Sequence, residues 1–268
     1  MRKVYYYDGT FKGMLSSVFQ SYYLPFGPSD IRKKGQMGNC QASLFGEILI
    51  ETSIEEAERV YNSIIDRISL KCLRNVYYAF LSEEKGIEMK ILRYLKLGWT
   101  MGARVDDLLT DERVNDIHER AWKVSGERHR YLGFIRFTDI HGIYYAPFEP
   151  SSNILELLCD HFASRLKDQY WVIHDRKRQI AALYDTRSWV IRSFQPSLTP
   201  SASKDEVSYR DLWKTYCHST WIRGRTNLGL QTQNMPKKYW KYLTEKMETS
   251  PGDVKKLCNF PEDTLPFF

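Results

Sequence analysis

The sequence predicts an α+β fold in which a largely antiparallel sheet is flanked by helices. Three observations predict it. Apolar residues recur every three to four positions through much of residues 10–125, the period of helices with one buried face. Short β-branched and aromatic runs broken by Asp, Gly and basic turns dominate residues 126–195, the pattern of hairpins. A Pro/Ser/Thr stretch then returns the chain to helical spacing, and no internal repeat interrupts the series.

Val4 to Tyr7 reads as a strand that turns at Asp8-Gly9-Thr10. Phe11, Met14, Leu15, Val18, Phe19 and Tyr22 then form one helical stripe, with Thr10 placed to cap its first turn. Residues Leu24 to Asn39, carrying Pro, Gly and Lys, read as an exposed loop, and Leu44 to Ile50 as a short strand. Ser53 with Glu56 three residues on is a capping-box signature opening a helix, whose stripe includes Ile54, Ala57, Tyr61, Ile64, Ile65 and Ile68. Helical positions continue through Tyr77, Phe80 and Leu81, and one or two further helices are expected between Glu88 and Ser125. Tyr131 to Phe137 and Ile143 to Phe148 read as a hairpin around Thr138-Asp-Ile-His-Gly142. A helix striped by Leu155, Leu158, Phe162 and Leu166 follows. Strands are expected at Tyr170–His174, Ile180–Tyr184 and Trp189–Phe194, the first two joined by the basic turn Asp175–Gln179. Two closing helices carry Tyr209/Leu212/Trp213/Tyr216 and Tyr239/Trp240/Leu243/Met247, and Pro236 suits the first turn of the second. The expected organisation is a single α+β domain over residues 1–250, with an internal Pro/Ser loop at 195–207 and a C-terminal tail at 251–268.

With 268 residues, 43% hydrophobic and 27% charged, the composition is that of an ordinary globular protein. No apolar run approaches the roughly 20 residues that span a bilayer, and the N-terminus lacks the apolar core of a signal peptide. Five scattered cysteines (Cys40, Cys72, Cys159, Cys217, Cys258) suit reduced thiols in a cytoplasmic protein. No C-x-x-C pair or tight three-Cys cluster offers a zinc or iron–sulfur site, so no cofactor is expected.

The net charge of the chain is +6, and eight Lys/Arg against two Asp/Glu fall between Ser208 and Lys246. The surplus therefore lies in one stretch, where Arg223, Arg225, Asn227, Lys237, Lys238 and Lys241 sit beside Trp and Tyr rings. Cations interleaved with stackable rings suit a phosphate backbone carrying bases. The turn Arg176-Lys177-Arg178 adds a second basic element. Each group also has an ordinary role: solvated charge for the lysines, capping for Asn227, core packing for Trp213, Tyr239 and Trp240. His161 and Arg165 lie one helical turn apart, and His174 and Asp175 close a strand. These four can supply base, orienter and clamp for hydrolysis of a nucleic acid, or simply form boundary ion pairs.

Tyr7-Asp8-Gly9-Thr10-x-x-Gly13 and Gly224-Arg225-Thr226-Asn227 resemble motifs of tRNA pseudouridine synthases. That family requires Asp where this chain has Asn227, and an amide supplies neither nucleophile nor base; the reading is rejected. A resemblance over nearly the full length rests on Tyr-Tyr-Asp8-Gly-Thr-Phe11, Phe134-x-Arg136-Phe, Ala146-Pro147 with Pro150, and His161-Phe-x-x-Arg165. It rests equally on Trp171-x-Ile173-His174-Asp175-x-Lys-Arg178, Leu212-Trp213-Lys, Arg225-x-Asn227, and Met235-Pro-Lys-x-Tyr-Trp240-Lys-x-Leu-x-Glu245. In these the chain resembles a bacterial domain-of-unknown-function family described as a DNA metabolism protein. Gly224 and Leu228-Gly229 depart from that family's pattern. The resemblance implies DNA as partner and work beside a radical S-adenosylmethionine protein assigned to DNA modification or repair; it supplies no reaction. The expected function is thus a nucleic-acid-binding accessory. A nucleic-acid hydrolase using His161, Arg165, His174 and Asp175, and a protein-interaction subunit without nucleic-acid contact, are the alternatives.

Overall fold

A computed structural model describes residues 3–25, 27–36, 46–195 and 204–246. The expected tail at 251–268, most of the Pro/Ser loop, Met247, Cys40 and Cys258 lie outside the described residues. The chain groups into two compact units, Met1–Gly126 and Glu127–Phe268; the sequence reading draws no boundary there. Each unit has its own sheet, and α+β is the class of the whole.

The first unit starts with β1 (Lys3–Tyr7), α1 (Phe11–Tyr23), β2 (Pro28–Lys33) and β3 (Glu47–Leu49). The strands lie in the order β2-β1-β3 and both ladders are parallel, unlike the antiparallel sheet expected. The parallel direction follows from α1, which carries the chain back across the sheet between β1 and β2. Residues 28–33 therefore form a strand where the sequence reads as loop. Pro-Ser-Asp-Ile-Arg-Lys shows no strand alternation, and only Ile31 is buried; the ladder with β1 supplies what local pattern does not.

Asp8 fixes the turn after β1. Its carboxylate accepts from the Thr10 amide (2.8 Å), the Thr10 hydroxyl (2.7 Å) and the Thr52 hydroxyl (2.8 Å), and these bonds hold its pKa low against the upward push of burial. Thr10 then caps α1 by accepting from the Gly13 amide. Behind the sheet lie α2 (Ile54–Arg67), α3 (Leu70–Leu81), α4 (Ile87–Met101) and the first part of α5 (Glu112–Phe134). Ser53 and Ser69 cap α2 and α3, the first as the sequence predicts. Tyr5, Tyr7, Met14, Ile64, Tyr94 and Leu95 are fully enclosed in this core.

The second unit holds the end of α5, β4 (Thr138–Ile140), β5 (Ile143–Phe148), α6 (Leu155–Arg165), β6 (Tyr170–Asp175), β7 (Ile180–Tyr184) and β8 (Trp189–Ser193). The strand order is β4-β5-β6-β7-β8, antiparallel except between β5 and β6, which α6 connects. Tyr131 to Phe134 finish α5 instead of opening the hairpin. Tyr131 and Phe134 face inward, where Tyr131 meets the rings of Phe148 and Tyr239 edge-on. An aromatic run fits either element until its neighbours decide. The hairpin is shorter, turning at His141 and Gly142, both with positive φ, as a two-residue turn of this twist demands.

After the loop come α7 (Lys204–Ser219) and α8 (Leu228–Asn234). α7 lies along β4: the Asp139 amide donates to Glu206, and Arg210 bonds both Glu206 and the Thr138 hydroxyl. The second closing helix is not an α-helix. Lys237–Tyr242 and Thr244–Lys246 are 3-10 turns, which bury Tyr239 and Leu243 and leave Trp240 half-buried with its indole N–H on the Met235 carbonyl. No helix among the described residues is long and apolar enough to cross a membrane.

Gly13 is the tightest position of the first turn. A Cβ there would overlap the Asp8 carboxylate and come within 2.7 Å of Thr52 Oγ1. In an open helix Gly→Ala gains up to about 1 kcal/mol, but here the gain is reversed. Gly13→Ala is expected to destabilise the protein by about 1–3 kcal/mol, read as a lower urea midpoint at unchanged slope.

Candidate functional site

The motif residues of the second unit converge on the loop between β5 and α6. Glu149, Pro150, Ser151 and Ser152 have no regular structure of their own, so their backbone groups need partners from elsewhere. Glu127 of α5 accepts from the Ser151 and Ser152 amides, both at 2.9 Å. Burial raises its pKa, but these amides and Lys238 outweigh burial and hold it below the usual carboxylate range. The Tyr131 hydroxyl donates to the Glu149 carbonyl. Arg178 donates to the carbonyls of Pro150 (3.3 Å) and Ser151 (3.0 Å), and Lys177 reaches the Ser151 carbonyl with its ammonium.

Arg178 is held in turn by Asp175. That carboxylate, wholly enclosed, takes a 2.9 Å ion pair from the guanidinium and accepts from the Lys177 and Arg178 amides. Asp175 thereby folds the basic turn. The amide of Arg176 donates to the Phe148 carbonyl, and its side chain alone of the three turn cations projects without a hydrogen bond among the described residues; Gln179 completes the turn at φ +54°.

His174, one residue earlier on β6, is buried. Its Nδ1 lies 2.7 Å from the Tyr145 hydroxyl, and Phe194 meets its ring edge-on. Burial first, and Arg176 second, lower its pKa to about 4, while burial lifts Tyr145 to about 12. The bond therefore joins two neutral groups near pH 7. His161 and Arg165 stand apart on α6. His161 packs edge-on against Phe162 with its Nε2 buried and unpartnered, and Arg165 is exposed. Among the described residues no hydrogen bond joins His161 or Arg165 to His174 or Asp175.

Two of the basic C-terminal residues are bound up in the same loop. Lys238 reaches Glu127 and the Ser151 hydroxyl, each at 3.1 Å, and Lys241 pairs with Glu149 at 2.6 Å, where the Tyr242 hydroxyl also donates. Asn227 caps α8, its side-chain oxygen accepting from the Leu230 amide at 2.9 Å. Arg225 and Lys237 are exposed, and the side chain of Arg223 lies outside the description.

α7 departs from expectation in which way its rings face. Tyr209, Trp213 and Tyr216 were expected in a core; they are 68%, 39% and 58% exposed, and Trp221 just beyond the helix is 52% exposed. The inner side of α7 is held by polar side chains to β4, so the apolar stripe is left outward. Trp213 is nonetheless fixed. Its indole N–H donates to Glu245 at 3.0 Å, Glu245 pairs with Arg136 at 2.8 Å, and the Arg136 guanidinium lies 5.6 Å from the indole centroid. Three motifs far apart in sequence thus meet at one ring.

A further polar cluster, in the first unit, escapes sequence reading. Buried Asp106 lies 2.6 Å from the Tyr94 hydroxyl and 2.7 Å from His118 Nε2, with Ser69 and Asn75 at 3.4 and 3.5 Å. It binds α3, α4 and α5 together. Its only trace in sequence is an Asp beside Val105 in an otherwise exposed-looking stretch. Among the described residues no group of three His, Cys, Asp or Glu side chains is arranged to hold a metal ion, and Cys72, Cys159 and Cys217 are free thiols.

Together these features define an α+β protein whose C-terminal segment carries exposed rings and cations and whose β5–α6 loop is bonded by side chains from elsewhere in the chain. The chain belongs to the domain-of-unknown-function family DUF4130, whose model matches residues 85–245. No curated protein and no solved structure matches it.

Two outcomes follow for the polar core. Asp175→Ala takes the carboxylate from a mostly enclosed guanidinium and from two amides, and is expected to cost about 3–5 kcal/mol in urea denaturation. A residue serving chemistry alone would leave stability unchanged. His174 has a folded pKa of about 4 against an ordinary 6.5, so between these values the unfolded chain binds more protons. The stabilisation is complete above pH 6.5 and declines as pH falls toward 4, by at most about 3 kcal/mol. His174→Gln should flatten that part of the stability–pH curve.

Proposed function

We propose that this protein is a nucleic-acid-binding accessory of a DNA repair or modification system, and that α7, the turn after it and α8 form its contact face. The observation that carries the reading is the exposure of Tyr209, Trp213, Tyr216 and Trp221 among Lys214, Arg225 and Lys237. Rings that leave the core at this density, beside cations, suit an anionic polymer with flat bases. Arg176 and Lys177 at the β6–β7 turn would add phosphate contacts. Lys238 and Lys241, with acidic partners of their own, contribute less than their place in the sequence suggests.

The motif resemblance supports a setting beside a radical S-adenosylmethionine protein of DNA modification or repair, with this chain holding DNA and carrying no cofactor. The hydrolase reading has weaker support: Asp175 spends its acceptor capacity on the turn, and His161 shares no bond with His174. A protein-docking role is the second reading. Leu212, Ile222, Leu228 and Leu230 are more than half exposed on the same segment, and aliphatic side chains do not stack on bases.

The test is retention on immobilised DNA as salt is raised. Binding is expected to weaken with a log–log slope of roughly −0.7 to −0.9 per phosphate neutralised. Combined Lys214→Glu, Arg225→Glu and Lys237→Glu should abolish it without loss of fold. Unchanged retention of the folded triple variant removes the nucleic-acid reading. Co-purification of the radical enzyme with a chain that ignores DNA would favour docking instead.

A further inference from the structure

Tyr209, Trp213 and Tyr216 sit at positions i, i+4 and i+7 of α7, which places all three rings on one helix face. Trp213 and Tyr216 lie nearly parallel, with centroids 5.7 Å apart and planes 30° from each other. Trp221, past the helix end, is exposed as well but packs edge-on against His218 at 5.9 Å, away from this stripe. Trp213 has the Arg136 guanidinium over its ring and donates its N–H to Glu245, so it backs the stacked Tyr216 ring in place before anything binds.

The Tyr209 ring and the side of Tyr216 turned from Trp213 are open, and open ring faces discriminate between the two forms of a nucleic acid. In a duplex each base is already stacked on its neighbours, and a ring gains entry only by wedging the stack apart. In a single strand the base faces are open, and any base can lie against a ring. The cations beside these rings attract either form alike, since both carry phosphates. Resting on the nucleic-acid reading above, we infer that the open α7 rings select unpaired bases, so that this face takes single-stranded nucleic acid in preference to duplex.

Fluorescence anisotropy with three labelled probes tests it: an oligodeoxythymidine, a duplex of equal length, and an abasic strand of equal length. The thymidine strand is expected to bind roughly tenfold or more tighter than the abasic strand, and tighter than the duplex. Tyr209→Ala and Tyr216→Ala, both at exposed positions that leave the core intact, should each weaken binding of the thymidine strand more than that of the abasic strand. Trp122→Ala, which removes an indole 74% exposed in the first unit, should change neither. Equal affinity for all three probes overturns single-strand selection while leaving nucleic-acid binding in place. So does equal weakening of the thymidine and abasic strands by the ring variants. Absence of binding to every probe overturns the nucleic-acid reading and this inference together.

Discussion

The second unit depends on the need to satisfy one irregular stretch of backbone. Residues 149–152 lie in the connection from β5 to α6, and their amides and carbonyls meet side chains from two directions, Glu127 and Tyr131 on α5 and Lys177 and Arg178 on the β6–β7 turn, while Lys238 near the C-terminus donates to the Ser151 hydroxyl. Leaving a buried amide or carbonyl unpaired costs about as much as a hydrogen bond is worth. That requirement explains why charged residues so distant in sequence meet here, and why several that look like ligand-binding groups are engaged by the fold itself.

Charge along the chain is therefore a poor guide to charge in space. The stretch 208–246 is strongly basic when counted by sequence, yet Glu127 and Glu149 arrive from distant parts of the chain to neutralise Lys238 and Lys241, and Glu206, just before the stretch on α7 itself, pairs with Arg210. The cations left without a carboxylate among the described residues, such as Lys214, Arg225 and Lys237, are fewer than the count suggests. Their surroundings, rather than the count, distinguish an interface from an internal scaffold.

Elements with a period and a cap were legible in the sequence: α1 with Thr10, α2 with Ser53, the alternating strands β6 and β7. β2 was not, because its pairing with β1 is non-local and its residues carry no alternation. Tyr131 and Phe134 were misread because an aromatic run does not reveal its period over so few residues. α7 was placed correctly but its facing was not, since an apolar stripe does not say whether a core or a partner will cover it. Candidate residues were legible by type and only in part by role, as Asn227, whose capping role the sequence offers, shows. Asp175 and Arg178 belong to a turn, Asn227 to a helix cap, and the Asp106 cluster, assembled from separate helices, leaves no motif at all.

The attachment of α7 carries a consequence for how this surface can change. Glu206 accepts from the backbone amide of Asp139 on the outermost strand β4, so the helix that displays the rings also shields an otherwise open sheet margin. Unpaired strand margins recruit strands from other molecules. A lineage could alter the outward residues of α7 freely, but could not discard the helix without inviting self-association. The outward side chains can therefore drift by substitution, whereas the helix itself stays as the cover of the strand.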